Sequence, residues 1–214
     1  MYLNKINNID RLCQQNEFNK DENSEPSLAS KVRSVSHKRR PKKLGLSLTM
    51  PKETTKGSLL GTGLCGEVRR DLAHEGFVLK SFSRYSKELA QKECSLFIRI
   101  YGEGSAEVIE EADGLYLRML EVPGVSLDKC NPSELPDNAR ELFFQMISDL
   151  NEAGIIHGDL HSGNIMYDRD ANRFWPIDLS NAYDSYYDSS PHGRALMDID
   201  NEKRFKQVMR KLGA

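Results

Sequence analysis

No stretch of this chain is apolar for long enough to cross a membrane as a helix, and the N-terminus, M-Y-L-N-K-I-N-N-I-D, lacks the apolar core of a secretory signal peptide. Both gaps predict a soluble protein. Cysteine is scarce as well. Cys13, Cys65, Cys94 and Cys130 lie far apart, with no C-x-x-C pair and no histidine at metal-ligand spacing. That argues against a zinc site or a disulfide framework and for reduced thiols in a cytosolic setting. No internal repeat is visible. Residues 1–56 carry only Tyr2 and Phe18 as aromatics and show no sustained apolar period, so this segment is predicted to be a disordered tail, with a folded domain over 57–214.

Charge is unevenly spread. The formal net charge is −2, yet residues 1–56 hold 12 Lys+Arg against 6 Asp+Glu, leaving 18 against 26 for the remainder. An acidic body argues against broad nucleic-acid binding, which depends on clustered Lys and Arg. Within the basic tail lies H-K-R-R-P-K-K, from His37 to Lys43. Such a run is most often a solvated charged stretch; the other reading is a nuclear-import or acidic-surface tag made by Lys38, Arg39, Arg40, Lys42 and Lys43.

From Ser58 the chain turns to short apolar runs separated by Gly, Asn and Asp. Leu59-Leu60 leads into a glycine turn. Strands are predicted at Glu67–Asp71, Phe77–Lys80, Ala106–Ile109 and Leu115–Leu120, and a helix over Glu88–Tyr101 with Leu89, Phe97 and Ile98 facing inward. After Pro123-Gly124 and Pro136-Asp137 comes the clearest helix, with Leu142, Phe143, Met146, Ile147 and Leu150 at three- and four-residue spacing and Gly154 where a C-terminal cap belongs. A small hairpin is predicted from Ile165–Tyr167 and Phe174–Ile177. An amphipathic segment, Glu202–Leu212, follows with Phe205, Val208, Met209 and Leu212 on one side.

Chemistry enters through spacing. Gly61, Gly63, Gly66 and Val68 stand in G-T-G-L-C-G-E-V, a match to G-x-G-x-x-G-x-V between two strands. That context points to a loop covering nucleotide phosphates rather than to a dinucleotide fingerprint, which opens a helix. Glycine serves there because a backbone without side chains can approach polyphosphate and offer N–H groups to it. One strand later, F-V-L-K ends in Lys80, placed to reach the α and β phosphates, with Glu93 on the next helix as its partner and Glu88 as the fallback. Then comes I-H-G-D-L-H-S-G-N-I-M. Asp159 fits the base that accepts the proton of an attacking hydroxyl, Asn164 a magnesium ligand, and His157 a brace for the backbone. Asp178, in D-L-S after the apolar strand F-W-P-I, fits the second magnesium ligand. Each part alone has an ordinary structural explanation; their order is what carries the reading.

Residues 58–180 resemble the protein kinase superfamily, and the H-x-D-L-x-x-G-N loop together with L-R-M-L-E-V-P-G at Leu117–Gly124 resembles the OspG/NleH type of bacterial type III secreted effector kinase. The resemblance implies an α+β, bilobal protein-kinase-like fold, with a five-stranded antiparallel N-lobe plus one helix over about 57–120 and a truncated helical C-lobe over about 125–214. It implies an ATP- and Mg2+-dependent serine/threonine kinase that is delivered into the host cell cytoplasm and dampens innate immune signalling. Ubiquitin and ubiquitin-charged conjugating enzyme are the implied partners and activators of a monomer. Met119, Glu121 and Val122 would belong to the hinge that holds adenine.

The departures are specific. Gly158 replaces the arginine of H-R-D, His161 replaces the lysine two after the base, and D-L-S replaces D-F-G. Residues 181–214 are too few for an activation loop and the helices that normally bind a peptide substrate, so an activating partner is expected. Two alternatives share the motifs. H-G-D-L-H-x-G-N also resembles the loop of aminoglycoside and choline kinases, which would make this a small-molecule phosphotransferase. A kinase-like scaffold could also bind ubiquitin without catalysis.

Overall fold

The computed structural model describes residues 53–63, 66–83 and 86–212. Alternating apolar positions build the first layer: β1 (Lys56–Gly63), β2 (Gly66–Asp71), β3 (Phe77–Phe82), β4 (Ala106–Glu111) and β5 (Gly114–Leu120) form an antiparallel sheet in the order β1-β2-β3-β5-β4. β3 and β5 are central, which is why they are apolar on both faces. Val78 and Phe82 join the main core on one side; Leu79 packs with Ile109 and Tyr116 on the other.

Helix α1 (Lys87–Tyr101) crosses the inner face of this sheet and packs against β4 and β5. Its covered stripe is Ala90, Glu93, Leu96 and Phe97, with Ile98 half-buried. Leu89, expected inward, is 55 % exposed. It lies in the first turn, and the buried stripe is set by Glu93 turning in to meet Lys80.

On the outer face, Arg118 is fully buried and donates to Asp71 (2.8 Å), Glu107 (2.6 Å) and the Glu53 carbonyl (2.8 Å). A buried guanidinium needs such partners. Thr55 N–H also reaches Asp71, and Leu72 N–H reaches Thr55 O. The segment Glu53–Lys56, assigned to the tail from composition, is therefore part of the fold. The basic run at 37–43 and the rest of the tail lie outside the described residues.

The second lobe begins after Pro123-Gly124. Gly124 has φ +103, and a Cβ there would come within 2.2 Å of the Tyr167 carbonyl. That close approach lets a two-residue strand, β6 (Val125–Ser126), pair with β7 (Ile165–Asp168), which pairs in turn with β8 (Arg173–Pro176). Helix α2 (Ala139–Glu152) buries Phe143, Met146, Ile147 and Leu150, and Gly154 at φ +73 ends it in the left-handed conformation expected of a C-terminal cap. Helix α3 (Pro191–Leu212) starts well before the predicted Glu202: Pro191 opens it and the Ser190 hydroxyl accepts the Gly193 N–H at 3.0 Å. Its C-terminal half docks as the pattern requires, with Val208 and Leu212 buried and Phe205 against Phe143 and Phe144. All described residues fall in one unit. Among them Cys94 and Cys130 are free thiols, and no helix is long and apolar enough to cross a membrane.

Candidate active site

The glycine motif is a hairpin. β1 and β2 pair so that Gly63 faces Gly66, with Gly61 opposite Val68; Leu64 and Cys65 at its tip lie outside the described residues. Gly66 has φ +136, and a Cβ there would meet the Ser81 carbonyl at 2.0 Å, so no other residue fits. Val68 pairs in register with Lys80 on β3.

Lys80 is buried beneath this hairpin. Its Nζ donates to both Glu93 oxygens, at 2.8 and 2.9 Å, and to Asp178 Oδ1 at 2.8 Å. Burial alone would lower the pKa of this ammonium, but the Glu93 and Asp178 carboxylates outweigh it and hold the pKa above its ordinary value. Burial pushes the Glu93 carboxyl up; Lys80 and the Leu179 N–H pull against that. Glu88 sits on the exposed side of α1, so Glu93 is the acid in contact.

Asp178 is partly buried, and burial raises its pKa less than Lys80 and Ser180 lower it. The Ser180 hydroxyl donates to its Oδ1 at 2.7 Å, the same oxygen that Lys80 uses. Oδ2 is thus the oxygen open to a cation. Its φ of +57 is unusual for a residue with a side chain and marks a strained turn at the centre of the site.

The loop after α2 brings up the other groups. His157 is buried; its Nε2–H donates to the Ile177 carbonyl at 3.0 Å, and its Nδ1 faces the Asp159 N–H at 3.4 Å. Burial depresses its pKa, which keeps the ring neutral and suited to both bonds. The imidazole ties the segment before Asp178 to the segment before Asp159. Asn164 donates from Nδ2 to the Asp159 carbonyl at 3.0 Å, which turns its Oδ1 the other way. Asn181 Nδ2 lies 3.4 Å from Asp159 Oδ2, so Oδ1 is free for a reacting hydroxyl. His161 accepts the Gly163 N–H through Nδ1 at 3.0 Å and stays exposed.

At the hinge, Met119 packs into the core opposite Val78. The N–H of Leu120 goes to Ser105 O and that of Glu121 to Gly76 O, each at 2.8 Å. Pro123 has no N–H, so among the described residues the Val122 N–H is the donor left over in this stretch. The Glu121 carboxylate turns away to Arg70, 3.1 Å distant.

Residues 59–205 match the family model described as protein kinase OspG, kinase domain. The chain belongs to the OspG kinase family. It is 35% identical over 148 residues to protein kinase OspG of Shigella flexneri serotype X (strain 2002017), covering 66% of this chain and 76% of that protein, and equally similar to those of Shigella sonnei (strain Ss046) and Shigella flexneri. It is therefore a protein kinase with a mixed α+β kinase fold, and protein kinases use ATP and Mg2+.

In this OspG-family kinase a divalent ion suits the donors present. Among the described residues no cluster of three or more His, Cys, Asp or Glu forms a cage. Mg2+ in phosphotransferases is held by one or two carboxylates plus phosphate oxygens and water, and Asp178 Oδ2 with Asn164 Oδ1 is such a partial set. Spacing alone did not reveal Ser180, Asn181 or the Leu179 N–H. They follow Asp178 directly, and only the fold shows that the chain doubles back there.

Proposed function

We propose that this OspG-family protein kinase is a serine/threonine kinase, delivered by a bacterium through type III secretion into the host cytoplasm. There it phosphorylates a host protein and modulates innate immune and ubiquitin-linked signalling. Ubiquitin, or a conjugating enzyme charged with it, is the proposed activator. The observation that carries the catalytic part is Lys80 bonded at once to Glu93 and Asp178 beneath the glycine hairpin.

Each residue then has a task. Lys80, held by Glu93, offers its ammonium to the α and β phosphates, and the Val122 N–H offers a donor to the adenine edge. Asn164 and Asp178 would hold Mg2+, which would supply charge neutralisation for the phosphates. Asp159 Oδ1 takes the proton of the incoming hydroxyl while Asn181 steadies Oδ2. A base so placed contributes about 10²- to 10⁴-fold in rate. His157 keeps the loop and the Asp178 segment at fixed separation.

The test is phosphate transfer to a generic protein with and without ubiquitin-charged conjugating enzyme. Stimulation of kcat is the expected result. Equal rates under both conditions would remove the activator from the proposal.

A further inference from the structure

Helix α1 must be held still if Glu93 is to hold Lys80, and its neighbours show what does the holding. Arg99 donates to the Ala153 carbonyl and the Tyr101 hydroxyl to the Pro176 carbonyl, both near the far end of the helix. Near Glu93, whose carboxylate also takes the Leu179 N–H, Lys92 places its ammonium 5.4 Å from the centre of the Tyr183 ring. Tyr183 is fastened in turn to the catalytic loop: its N–H and C=O exchange 2.8 Å hydrogen bonds with Ile156. Its ring edge also lies 3.0 Å from where a Cβ on Gly158 would stand. The Tyr183 ring therefore lies against the helix residue before Glu93 and over the space beside the residue before Asp159, while its backbone anchors the residue before His157.

We propose that Tyr183 is a positioning residue that couples the helix carrying Glu93 to the loop carrying Asp159. It does so from an isolated backbone bridge to Ile156. A cation held over an aromatic face is a modest contact, so its loss loosens the helix without unfolding the lobe. The inference rests on the reading of Lys80, Glu93 and Asp159 as phosphotransfer groups.

The test is steady-state kcat and KM for ATP with a generic protein acceptor, alongside thermal melting, in the full chain. Tyr183→Leu and Lys92→Met are each expected to lower kcat about threefold to tenfold with little change in KM for ATP or in Tm. The double variant should be no worse than the poorer single one. Tyr183→Phe, which keeps the ring, and Lys92→Arg, which keeps the cation, should retain wild-type kcat. Lys92 is exposed, so its variants report even if Tyr183→Leu folds badly. Wild-type kcat in Lys92→Met, additive losses in the double variant, or an equal loss in Tyr183→Phe would overturn the coupling while Asp159→Asn stayed inactive. Transfer surviving Asp159→Asn would overturn the site reading and this inference with it.

Discussion

At the scale of single residues, His157 shows how a buried side chain does structural work inside a reacting loop. Both ring nitrogens are engaged, one as donor to Ile177 O and one facing the Asp159 N–H, and only the neutral ring can do both. Its pKa in the fold lies below the ordinary 6.5 because burial disfavours the charged form. The unfolded chain therefore binds this proton first as pH falls. The stabilisation is complete above about pH 6.5 and is lost progressively below it, toward the lower folded-state value. Urea midpoints measured from about pH 8 to 5 should fall over the acidic part of that range. In His157→Gln, which cannot titrate, the decline should be shallower. Parallel declines in both proteins would show that other groups set the acid sensitivity. The Lys80, Glu93 and Asp178 set behaves differently: its order along the chain was readable from spacing, but the sharing of one Asp178 oxygen by Lys80 and Ser180 was not, because it depends on the left-handed turn at Asp178.

At the scale of elements, the catalytic loop and residues 181–183 behind it, bridged at Ile156 and Tyr183, form one unit. Gly158 was readable as the loss of an arginine; the fold supplies a second reason for it. Its φ is +77, and a Cβ would stand 2.3 Å from the Asn181 carbonyl. The Asn181 backbone and the Tyr183 ring fill the space a side chain would need. Restoring the arginine with Gly158→Arg should therefore destabilise the protein by about 1–3 kcal/mol or more, read as a lower urea midpoint. An unchanged midpoint would mean that the two segments separate easily. Helices were legible in proportion to their stripes. α2 and the C-terminal half of α3 carry apolar residues at helical spacing and were found; the first half of α3, P-H-G-R-A-L-M-D-I-D, has no such face and owes its start to Ser190 and Pro191. The two-residue β6 was invisible for the opposite reason, since its pairing depends on Gly124 letting two backbones meet. Leu89 was misplaced because periodicity tells which side of a helix is apolar but not how far its neighbours extend.

At the scale of the whole molecule, the two lobes are joined where chemistry needs them joined. Lys80 from the sheet, Glu93 from the helix and Asp178 from the second lobe meet at one ammonium, and His157 and Tyr183 fasten the second lobe's loop to the same place. Fold class and order of parts were legible because a kinase-like site is spread along the chain in a fixed sequence. The bracing contacts were not, because they join residues that no motif links. The outer face adds a point composition missed: Glu53–Lys56 closes over buried Arg118, so the fold includes the end of the basic segment. The central claim is that these groups form one phosphotransfer site. It is tested most directly by following labelled γ-phosphate from ATP and Mg2+ into protein with the wild type and Asp159→Asn, folding being checked by melting. The account predicts transfer by the wild type and a loss of about 10²-fold or more in an Asp159→Asn protein that still folds. Equal transfer by the two folded proteins would contradict it.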